Sequence, residues 1–320
     1  MHYDVFNGDA DGIIALLQLR LAQPKESVLI TGVKRDIKLL NQLMDKSCVE
    51  SLTVLDISMK KNQAALSKLL ECGVDVFYCD HHRTGDVPTS ENLTVLVDLS
   101  AETCTSLLIN QYLDGQYAKW AVVAAFGDNM IVSAKKLVVD LGLSIGDVEF
   151  LKELGTLINY NSYGASIDDL HIEPVKLYKK LLAYSCPLML KEDKASPFYQ
   201  LKTCYELDYA NVLDLKPIHD SDVARVFELP CETWARRISG VLGNELANHA
   251  PDLVHAVLTL NQSGYDYTVS VRAPLNNRIG ADEICSSFPT GGGRKAAAGI
   301  NKLYASNKSV LIEALNTYYE

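Results

Sequence analysis

The sequence has no long apolar run. No stretch approaches the roughly 20 consecutive apolar residues that a membrane-spanning helix needs, and the acidic Asp4 and Asp9 stand where a secretory peptide would carry basic residues. None of the eight cysteines forms a C-x-x-C pair, which argues against a zinc ribbon and favours reduced, buried thiols. These absences predict a cytoplasmic protein without a membrane segment.

An excess of positive charge is also missing. The chain contains 30 Lys and Arg against 40 Asp and Glu, so its formal net charge is −10. A protein that grips long nucleic acid usually has a basic face. The balance therefore predicts no stable binding of long nucleic acid and favours a short anionic substrate. Bound cations would neutralise part of a carboxylate cluster, and the formal charge does not count them.

What is present is ample apolar material for two domains. Hydrophobic residues make up 48% of the 320 positions and charged residues 22%, which is ordinary for a globular protein, and this length suits two domains. In the first half, β-rich runs alternate with helical runs, a pattern typical of a parallel sheet covered by helices. The β-rich runs are HYDVFN, SVLITGV, SLTVLDIS, DVFYCD and LTVLVDL, and the helical runs are IIALLQLRLA, IKLLNQLMDK and NQAALSKLLEC.

The pattern predicts three segments. Residues 1–187 form an α/β domain with a parallel sheet and helices on both faces, and its last part is mainly helical. Residues 188–215 form a linker and connecting segment, because two prolines and a charged KEDK lie between Ser185 and Pro197. Residues 216–320 form a smaller α/β domain with a long helix, two hairpin-like strands (LVHAVLTLN and YDYTVSVRA), a helix, a glycine run and a terminal helix.

Acidic and histidine side chains recur where the predicted strands end. In open parallel sheets, ligands bind beyond the carboxyl ends of the strands, so these side chains are expected to converge. One such Asp usually caps a helix, which suffices for Asp11 alone, but several converging carboxylates would repel one another strongly. Divalent cations would offset that repulsion, and carboxylate with imidazole ligands suits Mn²⁺. The set is Asp9, Asp11, Asp56, Asp80, His81, His82 and Asp128.

The motifs NGDADG, LDIS, DHH and GDN, in this order, resemble the four-motif signature of the DHH phosphoesterase superfamily. GGGRKAAAG near the C-terminus resembles the glycine motif of the DHHA1-type substrate domain that accompanies this family. The resemblance spans nearly the whole chain and is to nanoRNase-like and RecJ-like members. It implies a phosphodiesterase in which two cations clamp the attacking and leaving oxygens of an in-line displacement.

The resemblance implies a set of metal ligands around two ions. Asp9 and Asp11 would each face a different ion, and Asp56 would bridge the two. Asp128 would join them or also bridge. The ions would be Mn²⁺, with Mg²⁺ or Co²⁺ as alternatives. The implied ligands are Asp9, Asp11, Asp56, His81 and Asp128.

Two further residues of the signature would act beside the ligands. Asp80 would orient the site from behind the ligands, and His82 would contact the scissile phosphate. Arg83 follows directly and is a candidate phosphate contact, with a solvated loop arginine as the alternative.

The chain departs from the family pattern at Val5, where many relatives have His, and at Asn7, where others have Asp. Since Asn brings no charge, we predict that one metal is held more weakly than the other.

A second candidate site lies near the C-terminus. Gly291, Gly292 and Gly293 lack Cβ atoms, so their backbone N–H groups can approach an anion closely; a flexible turn is the alternative interpretation. The resemblance implies that Arg272 contacts the terminal phosphate or base of a substrate. Arg294 stands where the family usually has His, and its guanidinium could fork onto phosphate or guanine. This predicts a preference for short substrates with a 5′-phosphate, a guanine, or both.

Together these features predict a Mn²⁺-dependent phosphodiesterase that hydrolyses linear dinucleotides or very short oligonucleotides, such as pGpG, to 5′-mononucleotides. The alternatives left open are a RecJ-like single-strand 5′ exonuclease, a 3′,5′-bisphosphate nucleotide phosphatase and a catalytically weak nucleotide-binding regulator. The NGDADG start resembles RecJ more closely, whereas the extra binding domains of RecJ have no obvious counterpart in the sequence. The choice between monomer and homodimer stays open.

Overall fold

The computed structural model describes residues 1–46, 48–100 and 102–320. They divide into two compact units, Met1–Cys204 and Tyr205–Glu320. The strands are β1 (His2–Phe6), β2 (Val28–Ile30), β3 (Ser51–Leu55), β4 (Asp75–Asp80), β5 (Leu93–Val97), β6 (His219–Asp220), β7 (Ala224–Leu229), β8 (Val254–Leu260), β9 (Asp266–Arg272), β10 (Gly291–Gly293) and β11 (Ala297–Tyr304). The α-helices are α1 (Ala10–Ala22), α2 (Met59–Glu71), α3 (Thr105–Tyr112), α4 (Ala118–Gly127), α5 (Ile131–Asp140), α6 (Ile145–Tyr160), α7 (Pro174–Leu181), α8 (Met189–Glu192), α9 (Pro197–Tyr209), α10 (Thr233–His249), α11 (Ala281–Ser286) and α12 (Lys308–Tyr319).

The first unit is built on a five-stranded parallel sheet in the order β2-β1-β3-β4-β5. Side chains of β1 alternate between its two faces. Tyr3 and Val5 enter an apolar cluster with residues of α2, while Asp4 on the opposite face accepts a hydrogen bond from Arg20 of α1. Helices therefore cover both faces of the sheet, and the predicted fold class is confirmed.

Helix α1 is the central helix of this unit. It packs against β1 and β3 as well as α3 and α4, and its Ile13, Ile14, Leu16 and Leu17 side chains have no exposed surface. Each such side chain contributes roughly 1.5–3 kcal/mol when it is fully buried. This burial fixes the N-terminus of α1, which begins directly after Asp9.

Two predicted segments look different in the structure. The helix predicted from IKLLNQLMDK is only a short 3₁₀ turn, Leu39–Leu43. Its backbone is satisfied by the side chain of Asn62, which accepts from the Leu40 N–H at 3.2 Å and donates to the Ile37 carbonyl at 2.6 Å. The segment 188–215, predicted as a linker, contains α8 and α9, and the division between the two units falls inside α9.

The second unit contains a mixed six-stranded sheet in the order β10-β11-β9-β8-β7-β6. Only β7 and β8 pair in parallel; the other neighbours are antiparallel. One face packs with α11 and α12 around an apolar cluster that includes Val269 and Leu311, and α10 packs against β8 and β9. The sequence prediction missed β7 and β11. β11 begins in AAGI, where small residues hide the usual strand signal.

Two expectations from composition can be compared with the structure. In the described ranges, none of the helices has both the length and the apolar character needed to cross a bilayer. The eight cysteines are free thiols, but only Cys79, Cys104 and Cys285 are buried, while Cys48 and Cys72 are exposed. Burial raises the pKa of the Cys79 and Cys104 thiols well above the usual range, so these two stay protonated.

Candidate metal centre

Three neighbouring strands end at one edge of the first sheet. Asp9 follows β1 and Asp56 follows β3. β4 ends in Asp80, with His81 next in the chain. Because these strands are adjacent and parallel, their carboxyl ends bring the four side chains together. Asp56 has a φ of 59°, a left-handed conformation that costs a residue with a Cβ about 1 kcal/mol and is often found at functional sites.

Helix N-termini position two of the aspartates. Asp9 caps α1, since its Oδ1 accepts from the backbone N–H of Asp11 at 3.1 Å and of Gly12 at 3.0 Å. The Asp11 carboxylate in turn accepts from the N–H of Thr105 at 2.8 Å and of Ser106 at 2.7 Å, at the start of α3. Asp11 therefore caps α3 rather than its own helix, and the positive end of the α3 dipole favours its charge.

The His81 ring has a defined tautomer. Its Nδ1 lies 2.9 Å from the backbone carbonyl of Thr103, and since a carbonyl only accepts, Nδ1 donates. In the neutral ring the lone pair then sits on Nε2, which lies 3.4 Å from Asp56 Oδ1 and 3.7 Å from Asp11 Oδ2. A hydrogen bond on the far nitrogen is the usual way in which proteins orient a metal-binding imidazole.

Asp128, at the end of α4, spans two parts of the cluster. Its Oδ1 lies 3.4 Å from Nζ of Lys34 and its Oδ2 lies 4.0 Å from Nε2 of His81. One carboxylate thus faces a lysine on one side and an imidazole on the other.

His82 is paired with Asp80. The two approach at 2.7 Å between His82 Nδ1 and Asp80 Oδ1, and Asp80 is fully buried. Burial raises the pKa of the Asp80 carboxyl, but the His82 ring opposes this and the net pKa is lowered, so Asp80 stays ionised. The His82 side chain is 28% exposed, which leaves it accessible to a ligand. This contact is the geometry that an orienting role for Asp80 requires.

The charge of Asp56 is not balanced by the protein. Burial first, and then the carboxylates of Asp9 and Asp11, raise the pKa of Asp56 well above its usual range. Within the described ranges its ion-pair partners are His81 and His82, and no lysine or arginine is among them. A buried carboxylate in this state calls for a cation.

Lys34 lies on the other side of the cluster and was missed by the sequence prediction. It follows β2, and its Nζ forms an ion pair with Asp9 Oδ2. The same ammonium lies 3.4 Å from Asp128 Oδ1 and 3.2 Å from Asn159 Oδ1. Burial lowers the pKa of Lys34, but Asp9, Tyr163 and Asp128 more than offset this, so its pKa lies well above the usual range and the lysine is charged.

The side chain of Asn7 is engaged in local structure. Its Oδ1 accepts from the backbone N–H of Asp9 at 3.2 Å, and its Nδ2 donates to the backbone carbonyl of Lys34 at 3.2 Å. Asn7 thus ties the end of β1 to the loop that carries Lys34. Arg83 is exposed, and its backbone carbonyl accepts from Ser58 Oγ at 2.9 Å; a phosphate contact by its side chain stays a prediction.

The architecture of the chain is similar to that of solved nucleases. No family model and no curated protein sequence matches the chain. The exonuclease RecJ bound to manganese is similar over 99% of this chain and 89% of its own, with 18% identity and a TM-score of 0.59. RecJ of Thermus thermophilus in complex with Mn²⁺ gives 18% identity and a TM-score of 0.61, with 99% of this chain covered. The chain spans 52% of that protein's length.

A third structure, the pGpG-specific phosphodiesterase PggH from Vibrio cholerae, covers 99% of this chain and 98% of its own, with 12% identity and a TM-score of 0.54. The chain has the fold of the DHH-superfamily phosphoesterases. In this DHH fold, the matched RecJ structures hold Mn²⁺ or, for the Thermus protein, also Mg²⁺.

The described residues of this DHH-fold chain fit a divalent cation. In each of two groups, the donor atoms lie within 4.8 Å of one another: Asp11 with His81 and Asp128, and Asp56 with His81 and His82. Both groups include His81, and a donor set of carboxylate with imidazole suits Mn²⁺. Asp9 belongs to neither group, which agrees with its ion pair to Lys34.

The predicted substrate residues lie in the second unit. Arg272 ends β9, and its guanidinium donates to Asn244 Oδ1 at 2.6 Å and to Ser270 Oγ at 2.8 Å, so it is held against α10. Gly291–Gly293 forms β10 at the edge of the sheet, not a helix N-terminus. Arg294 begins the tight turn into β11, in which its N–H donates to the Ala297 carbonyl at 2.9 Å.

Two of the three glycines of β10, Gly291 and Gly293, are required by the local structure. A Cβ on Gly291 would lie 1.7 Å from the Cys285 carbonyl oxygen, and Gly293 has a φ of 150°. An edge strand keeps one row of backbone N–H and C=O groups outside the sheet ladder; in β10 the Gly291 N–H donates to the Phe288 carbonyl, and contact of this strand with a ligand stays a prediction.

Proposed function

We propose that this protein is a divalent-metal-dependent phosphodiesterase that hydrolyses linear dinucleotides or very short oligonucleotides to 5′-mononucleotides, with Mn²⁺ as its most suitable ion. The observation that carries the proposal is the convergence of Asp11, Asp56 and Asp128 on the Nε2 side of His81, whose Nδ1 is tied to the Thr103 carbonyl. A buried group of this composition is suited to metal-assisted hydrolysis of a phosphate ester.

Asp11, Asp56, His81 and Asp128 are the residues that would hold the cation. When bound, the cation would supply Lewis acidity toward water and phosphoryl oxygens. The α3 N-terminus keeps Asp11 in place through two backbone N–H groups, and the Thr103 carbonyl keeps the His81 ring in its metal-binding tautomer. The chain thereby fixes the ligands before a substrate arrives, which limits the cost of reorganisation.

His82 would act on the substrate. Its Nδ1 is hydrogen-bonded to the ionised carboxylate of Asp80, which fixes the orientation of the ring. A protonated His82 can donate to a phosphoryl oxygen and offset the charge that develops there. Burial of Asp80 keeps this partner away from solvent, so it orients the ring rather than competing for the substrate.

A short substrate is favoured by charge. The formal net charge of −10 opposes the extended contact with phosphates that long single strands require. We further propose that the edge strand β10 and Arg294 recognise the 5′-phosphate or the guanine of a dinucleotide. Because most Arg272 donors are engaged with α10 and β9, Arg272 is proposed to support the sheet beside this site rather than to lead the recognition.

A RecJ-like exonuclease is the second candidate. It is favoured by the matched RecJ structures, whose identities and TM-scores are higher than those of the pGpG-specific phosphodiesterase. The two candidates differ in the length of substrate they need, so chain length is the deciding variable. Partners beyond a nucleotide substrate, and a homodimer, stay proposals.

The test is hydrolysis of 5′-labelled dinucleotides against 20-mers, each with Mn²⁺, Mg²⁺, Co²⁺ or a chelator. The proposal expects dinucleotides to be cleaved at least about tenfold faster than 20-mers, which corresponds to about 1.4 kcal/mol of transition-state preference. Processive 20-mer degradation would support the exonuclease instead. If neither these substrates nor bis-(p-nitrophenyl) phosphate are hydrolysed, the proposed function is wrong and a nucleotide-binding regulator replaces it.

A further inference from the structure

Lys34 places the positive charge of its ammonium on the Asp9 side of the acidic cluster. Its ammonium has three hydrogens, and three oxygens receive them: Asp9 Oδ2, Asp128 Oδ1 and Asn159 Oδ1. Tyr163 adds its ring, with 5.6 Å between Nζ and the ring centroid. Full use of all donors by a surrounding set of acceptors describes a bound cation, not a side chain that samples solvent.

The backbone around Lys34 is anchored on both sides. The Lys34 N–H donates to the Ser162 carbonyl at 3.0 Å, and the Lys34 carbonyl accepts from Asn7 Nδ2. One residue earlier, the Val33 N–H donates to Asp36 Oδ2 at 3.0 Å. The ammonium therefore starts from a fixed main-chain position.

Two glycines bring this loop against the end of β1. A Cβ on Gly8 would lie 1.9 Å from the carbonyl oxygen of Gly32, and a Cβ on Gly32 would lie 2.3 Å from Asp36 Oδ2. The first distance is to backbone and excludes a side chain at Gly8, whereas a side chain at Gly32 would displace the Asp36 carboxylate that accepts from the Val33 N–H. The main chain of Gly8 therefore lies directly against that of Gly32, and with the Asn7 side chain, which donates to the Lys34 carbonyl, this contact brings Lys34 to Asp9.

The acceptor on the third side is equally well fixed. Asn159 is 1% exposed and belongs to the last turn of α6. The Asn159 carbonyl accepts from Ser162 Oγ and from the Ser162 N–H at 3.0 Å, and the Ser162 carbonyl in turn accepts from the Lys34 N–H. Asn159, Ser162 and Tyr163 thus form one pocket wall for the lysine. These three residues belong to the sequence INYNSYG at positions 158–164.

The two halves of the cluster differ in their supply of positive charge. Asp9 has an ammonium as its direct partner, and Asn7, at the position where relatives carry an acidic ligand, is used to hold the Lys34 loop. The ion pairs of Asp56 and Asp11 in the described part of the chain are with histidines only. Asp128 divides its oxygens between the two halves.

We propose that the Lys34 ammonium takes the place of one of the two divalent cations that the family resemblance implies, so that the centre binds a single metal ion beside Nε2 of His81, which has oxygens of Asp56, Asp11 and Asp128 at 3.4, 3.7 and 4.0 Å. This inference rests on the proposed function for the identity of the centre as a metal site. Asp9 is then a partner of Lys34 and the cap of α1, not a metal ligand. Lys34 acts through Asp9 and Asp128 and is a positioning residue.

The experiment counts metal ions rather than turnover. Protein freed of metal by chelation is titrated with Mn²⁺, free Mn²⁺ is followed by electron paramagnetic resonance, and bound metal is measured by elemental analysis. The expected result is one Mn²⁺ per chain for the wild type and no spin-coupled signal. Lys34→Met, which keeps the length of the side chain but removes its charge, is expected to bind a second Mn²⁺ and to show coupling between the ions.

Matched variants separate charge from folding. Lys38→Met removes an exposed lysine from the same segment and is expected to keep one ion per chain, as is the charge-conserving Lys34→Arg. If Lys34→Met does not fold, anomalous diffraction from wild-type crystals grown with Mn²⁺ decides: one peak, with Nζ still against Asp9, supports the inference.

Two tightly bound ions in the wild type, or one ion in Lys34→Met, would overturn the inference while leaving the proposed function in place. A wild type that binds no Mn²⁺ at all overturns the proposed function itself. The two failures are therefore distinguishable in one titration.

Discussion

The two halves of the acidic cluster solve the same electrostatic problem differently. On the Asp9 side, the protein provides a lysine whose contacts with Asp9 and Asp128 offset their charge. On the Asp56 side, carboxylates face each other and two histidines, and the pKa of Asp56 is raised by burial and by its neighbours. The difference teaches that a family resemblance fixes the positions of the acids but not the source of the charge that balances them.

The strongest test of this comparison is Asp56→Asn. Asparagine keeps the shape of the side chain and tolerates the left-handed conformation at this position, but it removes the central charge. We expect loss of Mn²⁺ affinity and a fall in kcat/KM of more than about 100-fold, above what loss of an outer partner of a ligand costs. Asp86→Asn, at an exposed loop position, is the control, and equal activity of both variants would contradict the prediction.

Asp80→Asn tests whether the Asp56 side of the cluster depends on the orientation of the His82 ring as well as on charge. Its carboxylate holds the His82 ring from a buried position. We expect kcat to fall by roughly 10–100-fold with the number of bound metal ions unchanged. A stoichiometry that drops together with kcat would show that Asp80 is a metal ligand instead.

Removal of a carboxylate charge should change the stability of the metal-free protein in opposite directions on the Asp9 side and on the Asp56 side of the cluster. Asp9→Asn keeps the cap of α1 but leaves Lys34 without its main counter-charge, so we expect the free energy of unfolding in urea to fall by about 1–3 kcal/mol. Asp56→Asn relieves repulsion between carboxylates, so we expect a rise of about 1 kcal/mol. Two changes of the same sign would remove the distinction between the halves.

The pH dependence provides a finer form of the same test. The pKa of Asp56 is raised in the folded state, so above the unfolded value of about 3.9 the folded protein binds more protons than the unfolded one. Stability of the metal-free wild type relative to Asp56→Asn should therefore decrease as the pH rises above about 4. The pKa of Asp9 is lowered, with burial opposed by Lys34, so its contribution is lost only as the pH falls. A difference between wild type and Asp56→Asn that is independent of pH would contradict this assignment.

The smallest expected effect is that of a substitution in the second unit, outside the two sides of the metal centre. Arg294→Ala should change the ranking of dinucleotides that differ in guanine or 5′-phosphate, by roughly 5- to 10-fold for one lost charged contact, without changing metal stoichiometry. Lys295→Ala, next in the same turn, is the control. An unchanged ranking of these dinucleotides would contradict the proposed recognition by Arg294.

The sequence predicted the convergence of the acidic residues, but it did not predict that Lys34 lies beside them. Asp9, Asp56 and the run from Asp80 come together because parallel strands end at one edge, and the alternation of strands and helices predicts that arrangement. Lys34 and Asn159 lie in segments of ordinary composition, and only the placement of β2 beside β1 brings Lys34 to Asp9. A sequence does not state its strand order, so this contact could not be predicted.

Other differences have local causes. The cap of α3 is the carboxylate of Asp11, a residue 94 positions away from Thr105. Capping by a distant side chain leaves no local signal. The glycine run, for which a flexible turn was the alternative interpretation, is an edge strand, because the small residues after it continue into β11.

The contact between Gly8 and Gly32 allows the side chain at position 34 to be exchanged without a change in the scaffold. Because the main-chain position of residue 34 is set by contacts that do not involve its own side chain, the identity of that side chain can change while the scaffold stays as it is. Exchange of that lysine for an aspartate or a histidine would put a ligand where a charge now stands. One codon would then separate a mononuclear centre from a dinuclear one, and protein engineers could use it to set the metal content of this fold.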